Sequence, residues 1–189
     1  MSALVYDIPV RDIAGGGASL AEFQGKVLLI VNVASKCGLT PQYAGLEKLY
    51  TEYRDRGLVV AGFPSNDFAE QEPGANQQIQ SFCTLNYGVD FPLFEKIEIV
   101  GSRKHPLYAA LIEAQPRAVP LDGSPFPENL ANFLKGRGES PNQEPEVLWN
   151  FEKFLVSRSG AVVNRFSPDT PPDHPALIEA IEAELAKSA

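Results

Sequence analysis

Cys37 is the residue of this 189-residue chain best placed for covalent chemistry. It follows the run Val27-Leu28-Leu29-Ile30-Val31-Asn32-Val33 and precedes Gly38-Leu39-Thr40-Pro41. The run reads as a strand covered on both faces inside an α/β sheet. Thr40 as N-cap with Pro41 at the first helical position reads as a helix start. A thiol at such a junction lies near the positive end of a helix, where backbone N–H groups and the macrodipole favour thiolate over thiol. The thiolate is the nucleophile, so the chemistry expected of Cys37 is attack by sulfur. Cys83, the other cysteine, reads either as a small buried hydrophobe or as a second redox thiol.

The bulk properties narrow the partners. Two cysteines are too few for a disulfide-stapled scaffold, and with His105 and His174 they lack any zinc-ligand spacing. No metal and no other cofactor is expected, and the cysteines read as free thiols of a reducing compartment. A formal net charge of -8 argues against nucleic acid or an anionic membrane, both of which demand clustered Lys and Arg. The opening stretch Met1 to Asp7 has no charged n-region followed by an apolar h-region, and no apolar run is long enough to span a bilayer. The expectation is one cytoplasmic domain covering residues 1–189, with its oligomeric state open.

The elements that must position Cys37 can be read from periodicity and punctuation. Val5 to Pro9 and Ala18 to Phe23, separated by Gly15-Gly16-Gly17, read as an N-terminal hairpin. After the strand Val27 to Val33, a helix from Pro41 to Arg56 carries Leu46, Leu49, Tyr50 and Tyr53 on one face and ends at Gly57. Leu58 to Phe63 completes a parallel βαβ unit. A polar loop leads to a helix near Asn76 to Asn86, with Ile79, Phe82 and Cys83 on its inner stripe. Strands follow near Leu93 to Ile99, Phe151 to Ser157 and Ala161 to Phe166, the last two joined by the turn Arg158-Ser159-Gly160, and a helix from Pro175 to Lys187 closes the chain. Gln115 to Val147, rich in Pro and Gly, reads as a surface insertion. Leu130, Phe133 and Leu134 fall at helical spacing within it, an apolar patch for the core edge or a neighbouring subunit.

This order fits a thioredoxin-like α/β fold: a central mixed sheet flanked by helices, with an N-terminal hairpin and an inserted loop at 115–147. Disulfide exchangers of that fold carry Cys-X-X-Cys after the first central strand. Here the fourth position is Thr40. Cys37 therefore cannot close a local disulfide, which favours a peroxidase over an exchanger.

Three segments make the reading more specific. Asn32-Val-Ala-Ser-Lys-Cys37-Gly-Leu-Thr-Pro-Gln-Tyr43 resembles the active-site segment of the glutathione peroxidase family, with cysteine where some members carry selenocysteine. Gly62-Phe-Pro-Ser-Asn-Asp-Phe-Ala-Glu-Gln-Glu-Pro-Gly74 and Leu148-Trp-Asn-Phe-Glu-Lys-Phe-Leu155 resemble its second and third signatures. The similarity runs in order from about Val27 to Pro168 and is nearest to the bacterial, cysteine-containing branch that uses thioredoxin or glutathione.

The resemblance implies a catalytic tetrad of Cys37, Gln71, Trp149 and Asn150, and an antioxidant activity in which hydrogen peroxide and organic hydroperoxides oxidise Cys37 to a sulfenic acid. Neutral donors suit that task. An unperturbed thiol is only about 3% thiolate at pH 7, and hydrogen bonds to a charged group contribute roughly 1.5 to 3 kcal/mol each. Relatives also imply a resolving cysteine before the Phe91-Pro92-Leu93-Phe94 segment, where Cys83 stands one residue earlier than in plant and insect members. Thioredoxin would then reduce the internal disulfide. Without that disulfide, an external thiol such as glutathione must reduce Cys37, because Ser65 occupies the other position at which relatives carry cysteine. Outside peroxidases, the competing reading is a thioredoxin-like binding or chaperone module with an inert Cys37.

Overall fold

The computed structural model describes residues 5–189. The first four positions, part of the opening stretch read above for a leader, lie outside them. The N-terminal arm is an antiparallel pair, β1 (Pro9–Arg11) with β2 (Gly17–Ser19). Its connection is held by Asp12, whose Oδ1 accepts the N–H groups of Ala14 and Gly16, both at 2.9 Å. The hairpin is shorter than periodicity implies. Val5–Asp7 and Leu20–Phe23 form 3-10 turns instead of strand, and the Ser19 hydroxyl caps the second by accepting from Ala21 N–H.

The central sheet is mixed. Every residue of β3 (Val27–Val33) is buried, as a strand covered on both faces requires. Helix α1 (Gln42–Tyr53) follows, then a 3-10 turn over Arg54–Arg56 that ends at Gly57 with φ of 109°. β4 (Leu58–Pro64) pairs parallel with β3, Val27 opposite Leu58 and Val33 opposite Pro64. After α2 (Asn76–Tyr87), α3 (Pro106–Ala114) and α4 (Phe126–Gly136), β5 (Lys153–Val156) returns antiparallel to β3, and β6 (Val162–Phe166) pairs antiparallel with β5. The sheet order is β4-β3-β5-β6. Helix α5 (Pro175–Leu185) packs on β3, and α1 packs on β4 and α2. Burying each Leu or Ile of β3 contributes roughly 1.5–3 kcal/mol, so this strand is the anchor from which Cys37 projects.

Three elements depart from the sequence reading. Residues 93–99 do not form a strand. They meet the sheet edge through a parallel bridge between Gly62 and Leu93, and the N-terminal arm through an antiparallel bridge between Asp12 and Phe94. Pro92 has no N–H to continue a ladder, although its carbonyl accepts from Gly62 N–H at 2.9 Å. Helix α3 is an element that periodicity does not announce; it starts where His105 Nδ1 accepts from Leu107 N–H and Pro106 fills the first turn. Lastly, the insertion is partly helical: α4 buries Leu130 and Leu134 and leaves Phe133 47% exposed. Among the described residues, no helix is long and apolar enough to cross a membrane.

Candidate active site

Cys37 lies in the turn between β3 and α1 and is 8% exposed. Thr40 braces this turn. Its hydroxyl accepts Cys37 N–H at 3.0 Å and donates to Ala34 O at 2.8 Å, so it does not cap α1, which begins at Gln42 behind Pro41. The reason is a tight lead-in. Thr40, Gln42 and Tyr43 N–H groups donate to the carbonyls of Cys37, Leu39 and Thr40, moving the helix start beyond the expected residue. The backbone donor nearest the sulfur is therefore Leu39, whose N–H points at Cys37 Sγ at 3.3 Å. Cys37 acts as the capping side chain of its own turn, accepting from the residue two positions on.

The side chains of Trp149 and Asn150 lie beside the sulfur and act to lower its pKa. Gln71 is placed differently from a donor to sulfur: its Oε1 accepts from Asn150 Nδ2 at 3.0 Å. The Gln71 backbone belongs to the site as well, because its carbonyl accepts from Lys36 N–H at 3.0 Å. Next to it, the Glu72 carboxylate accepts from Ser35 Oγ at 3.1 Å. These two bonds stitch the Cys37 turn to the loop after β4.

The segments that carry Gln71 and Asn150 both contain left-handed, non-glycine backbone. Ala69 and Glu70 precede Gln71 with φ of 53° and 55°, and Phe151 follows Asn150 with φ of 70°. Such conformations cost of order 1–3 kcal/mol each and persist only where the surroundings over-determine them. For Phe151 the surroundings are explicit. Its N–H donates to Asn32 O at 2.6 Å, Asn32 Nδ2 donates to Trp149 O at 3.0 Å, and its ring meets Tyr43 edge-on at 5.4 Å. Asn32 thus fixes the Trp149–Phe151 backbone from the penultimate position of β3. A polar residue inside an otherwise apolar buried strand was the sequence signal for it.

Burial pushes the Cys37 thiol above its ordinary value, and the Leu39 N–H, Trp149 and Asn150 bonds pull it partly back. The expectation that the helix end lowers it is not met, because loss of water around the sulfur outweighs the donors. Glu72, buried beside Ser35, is pushed up to about 7 by the same loss of water, against the pull of Ser35, Lys96 and Lys36. The indole of Trp149 is held from two sides, tilted on Phe68 at 5.4 Å and edge-on to Phe133 of α4 at 6.0 Å.

Cys83 is separate from this group. It is fully buried on the inner face of α2, and both cysteines are free. Burial raises its thiol to about 11, opposed by the Tyr43 hydroxyl and reinforced by Glu72. Its carbonyl accepts from Val89 N–H at 3.3 Å across Gly88, whose φ is 58°. A cleft of about 410 Å3 opens between the two cysteine-bearing elements, bordered by Ser35 and Lys36 on one side and by Gln78 and Phe82 of α2 on the other. Among the described residues, no group of three or more His, Cys, Asp and Glu is arranged to hold a metal ion.

Comparison with known proteins shows the family. Residues 5–112 match the family model described as Glutathione peroxidase. The Escherichia coli K12 protein named Thioredoxin/glutathione peroxidase BtuE is 51% identical over 178 residues, covering 94% of this chain and 95% of that protein. The Synechocystis protein named Hydroperoxy fatty acid reductase gpx1 is 45% identical, covering 89% of each. Among solved structures, T. cruzi GPX1 superposes with a TM-score of 0.67 at 30% identity over 97% of both chains. A Chlorobium tepidum thiol:disulfide interchange protein shares only the thioredoxin fold, with a TM-score of 0.56 at 13% identity over 98% of both chains. Fold, motif order and similarity along nearly the whole chain agree: the chain belongs to the glutathione peroxidase family and is a peroxidase of that type.

Proposed function

We propose that Cys37 is the peroxidatic residue of a thiol-dependent peroxidase acting on hydrogen peroxide and organic hydroperoxides, and that Trp149 and Asn150 are its donors. In the reaction a bond forms between Cys37 Sγ and the nearer peroxide oxygen as the O–O bond breaks. Sulfur loses two electrons, the peroxide gains them, and the products are Cys37 sulfenic acid and water or an alcohol. The departing oxygen takes a proton, and the thiol supplies one. A thiol that burial keeps protonated at rest therefore carries the proton the leaving group needs. The donors act when sulfur gives up that proton, since hydrogen bonds aimed at developing charge in a water-poor site are worth more than in water. The observation that carries this reading is a buried sulfur that accepts from Leu39 N–H, with Trp149 and Asn150 beside it acting to favour the thiolate.

Gln71 serves this set through Asn150, by accepting one amide hydrogen and so orienting the other groups of that side chain. Re-reduction requires a thiol. The reading favoured here is that Cys83 condenses with the Cys37 sulfenic acid, forming an S–S bond and releasing water, and that thioredoxin reduces the disulfide. The cleft between the Cys37 turn and α2 supports it, as does the name of the Escherichia coli relative. Cys83 reacts only after the last turn of α2 opens, because it is fully buried and its thiol stays protonated at neutral pH. Glutathione acting directly on the sulfenic acid is the second route.

Peroxide consumption measured with thioredoxin and with glutathione separates these routes. The expected result is faster turnover with thioredoxin, and a Cys37–Cys83 disulfide in peroxide-treated protein that disappears in Cys83→Ser. Sulfenate or sulfinate on Cys37 in both proteins, with no disulfide in either, removes Cys83 from the cycle.

A further inference from the structure

Arg165 is a fully buried cation on β6. Its Nε donates to Glu152 Oε1 at 2.5 Å, Nη1 donates to the carbonyls of Gln115 and Pro145, both at 2.9 Å, and Nη2 donates to Glu146 O at 3.0 Å. Gln115 begins the insertion, and Pro145 and Glu146 end it. One guanidinium thus draws both ends together. The second oxygen of Glu152 accepts from Leu148 N–H at 2.8 Å, one residue before Trp149. The middle of the insertion reaches the same place independently, through Phe133 edge-on to the Trp149 ring.

A buried ion pair is weak evidence for stability, because the cost of dehydrating two charges is often as large as their attraction. What this pair supplies is fixed geometry: three backbone carbonyls and one N–H held at set positions around the segment that carries Trp149 and Asn150. We propose that the insertion is a clamp on this segment, with Arg165, Glu152 and Phe133 as positioning residues for peroxide reduction. The inference rests on the reading that Trp149 and Asn150 serve Cys37. None of the three side chains touches sulfur; each acts by holding a donor. Reactions that depend on such placement lose on the order of 100-fold in rate for a misplacement of about 1 Å.

The test uses the whole chain with Phe133→Ala, Arg165→Lys and the double variant Glu152→Met with Arg165→Met. Two Met residues leave no unpaired charge but free three backbone carbonyls and the Leu148 N–H, whereas Phe133 is 47% exposed, so Phe133→Ala probes position without a buried orphan. The readouts are the single-turnover rate of Cys37 oxidation by hydrogen peroxide, the emission of Trp149, which is the one tryptophan in the chain, and the rate at which dithiothreitol reduces the oxidised protein. Phe133→Ala is expected to shift Trp149 emission to the red and slow oxidation by about tenfold, and the Met pair to slow it by on the order of 100-fold. Arg165→Lys, which keeps the charge but cannot reach the three carbonyls, falls between them. Reduction by dithiothreitol stays within about twofold of wild type in all three. Wild-type oxidation in Phe133→Ala overturns the clamp even if the buried pair proves necessary for folding, and so does a folded Met pair with wild-type oxidation. A Cys37→Ser control run in parallel assigns any failure: if it still consumes peroxide, the underlying reading has failed rather than the clamp.

Discussion

Asn150 donates to Gln71: its Nδ2 lies 3.0 Å from Gln71 Oε1, while the Asn150 side chain also serves the Cys37 sulfur. The two amides therefore act in series. Asn150→Ala removes a donor aimed at developing charge and is expected to slow peroxide reduction on the order of 100-fold. Gln71→Ala removes only an orienting bond worth about 1 kcal/mol, or roughly fivefold. Steady-state kcat/KM for the two variants decides the matter. Equal losses would mean that Gln71 contacts the reacting atoms itself.

Thr40 offers a test of the turn beneath the sulfur. Its hydroxyl satisfies both Cys37 N–H and Ala34 O in a buried position. Thr40→Val keeps the shape and orphans both groups, at an expected cost of about 2 kcal/mol. Thr40→Ser should stay close to wild type. Denaturant titration measures both, and a Thr40→Val protein as stable as wild type would contradict the brace.

The fold was legible where one local signal dominated. The Val27–Val33 run predicts β3 to the residue, and the α1 stripe with Gly57 gives the helix and its stop to within three residues. Legibility failed where tertiary partners decide. Residues 93–99 have strand composition, but they follow Pro92, which has no N–H to donate, and pair only through isolated bridges to Gly62 and to Asp12 of the N-terminal arm. In the site, the three motifs identified which residues gather. They did not give the direction of the Gln71–Asn150 bond, the backward-facing Thr40 hydroxyl or the rise of the Cys37 thiol. Each of those depends on what lies across the fold and on how much water is excluded. Glu152 and Arg165 lie in or near the third motif, but their clamp on the insertion joins residues up to 50 positions apart.

Lys153 gives the fold a pH signature. Its amine is fully buried and donates to Pro168 O at 2.9 Å and Thr170 O at 2.6 Å, a pair of acceptors that suits the two N–H bonds of a neutral amine. Burial lowers it from 10.5 to about 7, against the pull of Asp169 and Glu152. A depressed folded-state value means that its contribution is present above the unfolded value and lost as pH falls through about 7. Stability should therefore rise as pH goes from about 7 to about 9, below the range in which burial holds the Cys83 thiol. Denaturant titrations across that range should show the rise in wild type and a flatter profile in Lys153→Met. Parallel profiles would place the buried charge elsewhere.

Opening of α2 can be tested at Gly88. The position has φ of 58°, and a Cβ there meets no atom within 4 Å, so Gly88→Ala adds backbone strain of about 1 kcal/mol without a clash. That strain loosens the turn in which Cys83 O is held by Val89 N–H. Modification of Cys83 by a thiol reagent should accelerate about fivefold, while Cys37 modification is unchanged. An unaltered Cys83 rate would show that its exposure does not run through this cap.

The central claim is that one sulfur performs the peroxide chemistry. The direct measurement is intact-mass spectrometry combined with peroxide consumption, after one equivalent of hydrogen peroxide, on Cys83→Ser and on Cys37→Ser with Cys83→Ser. The account predicts that the first protein consumes the peroxide and gains one oxygen atom at Cys37, whereas the second consumes none. Peroxide consumption that survives the loss of Cys37 would contradict it.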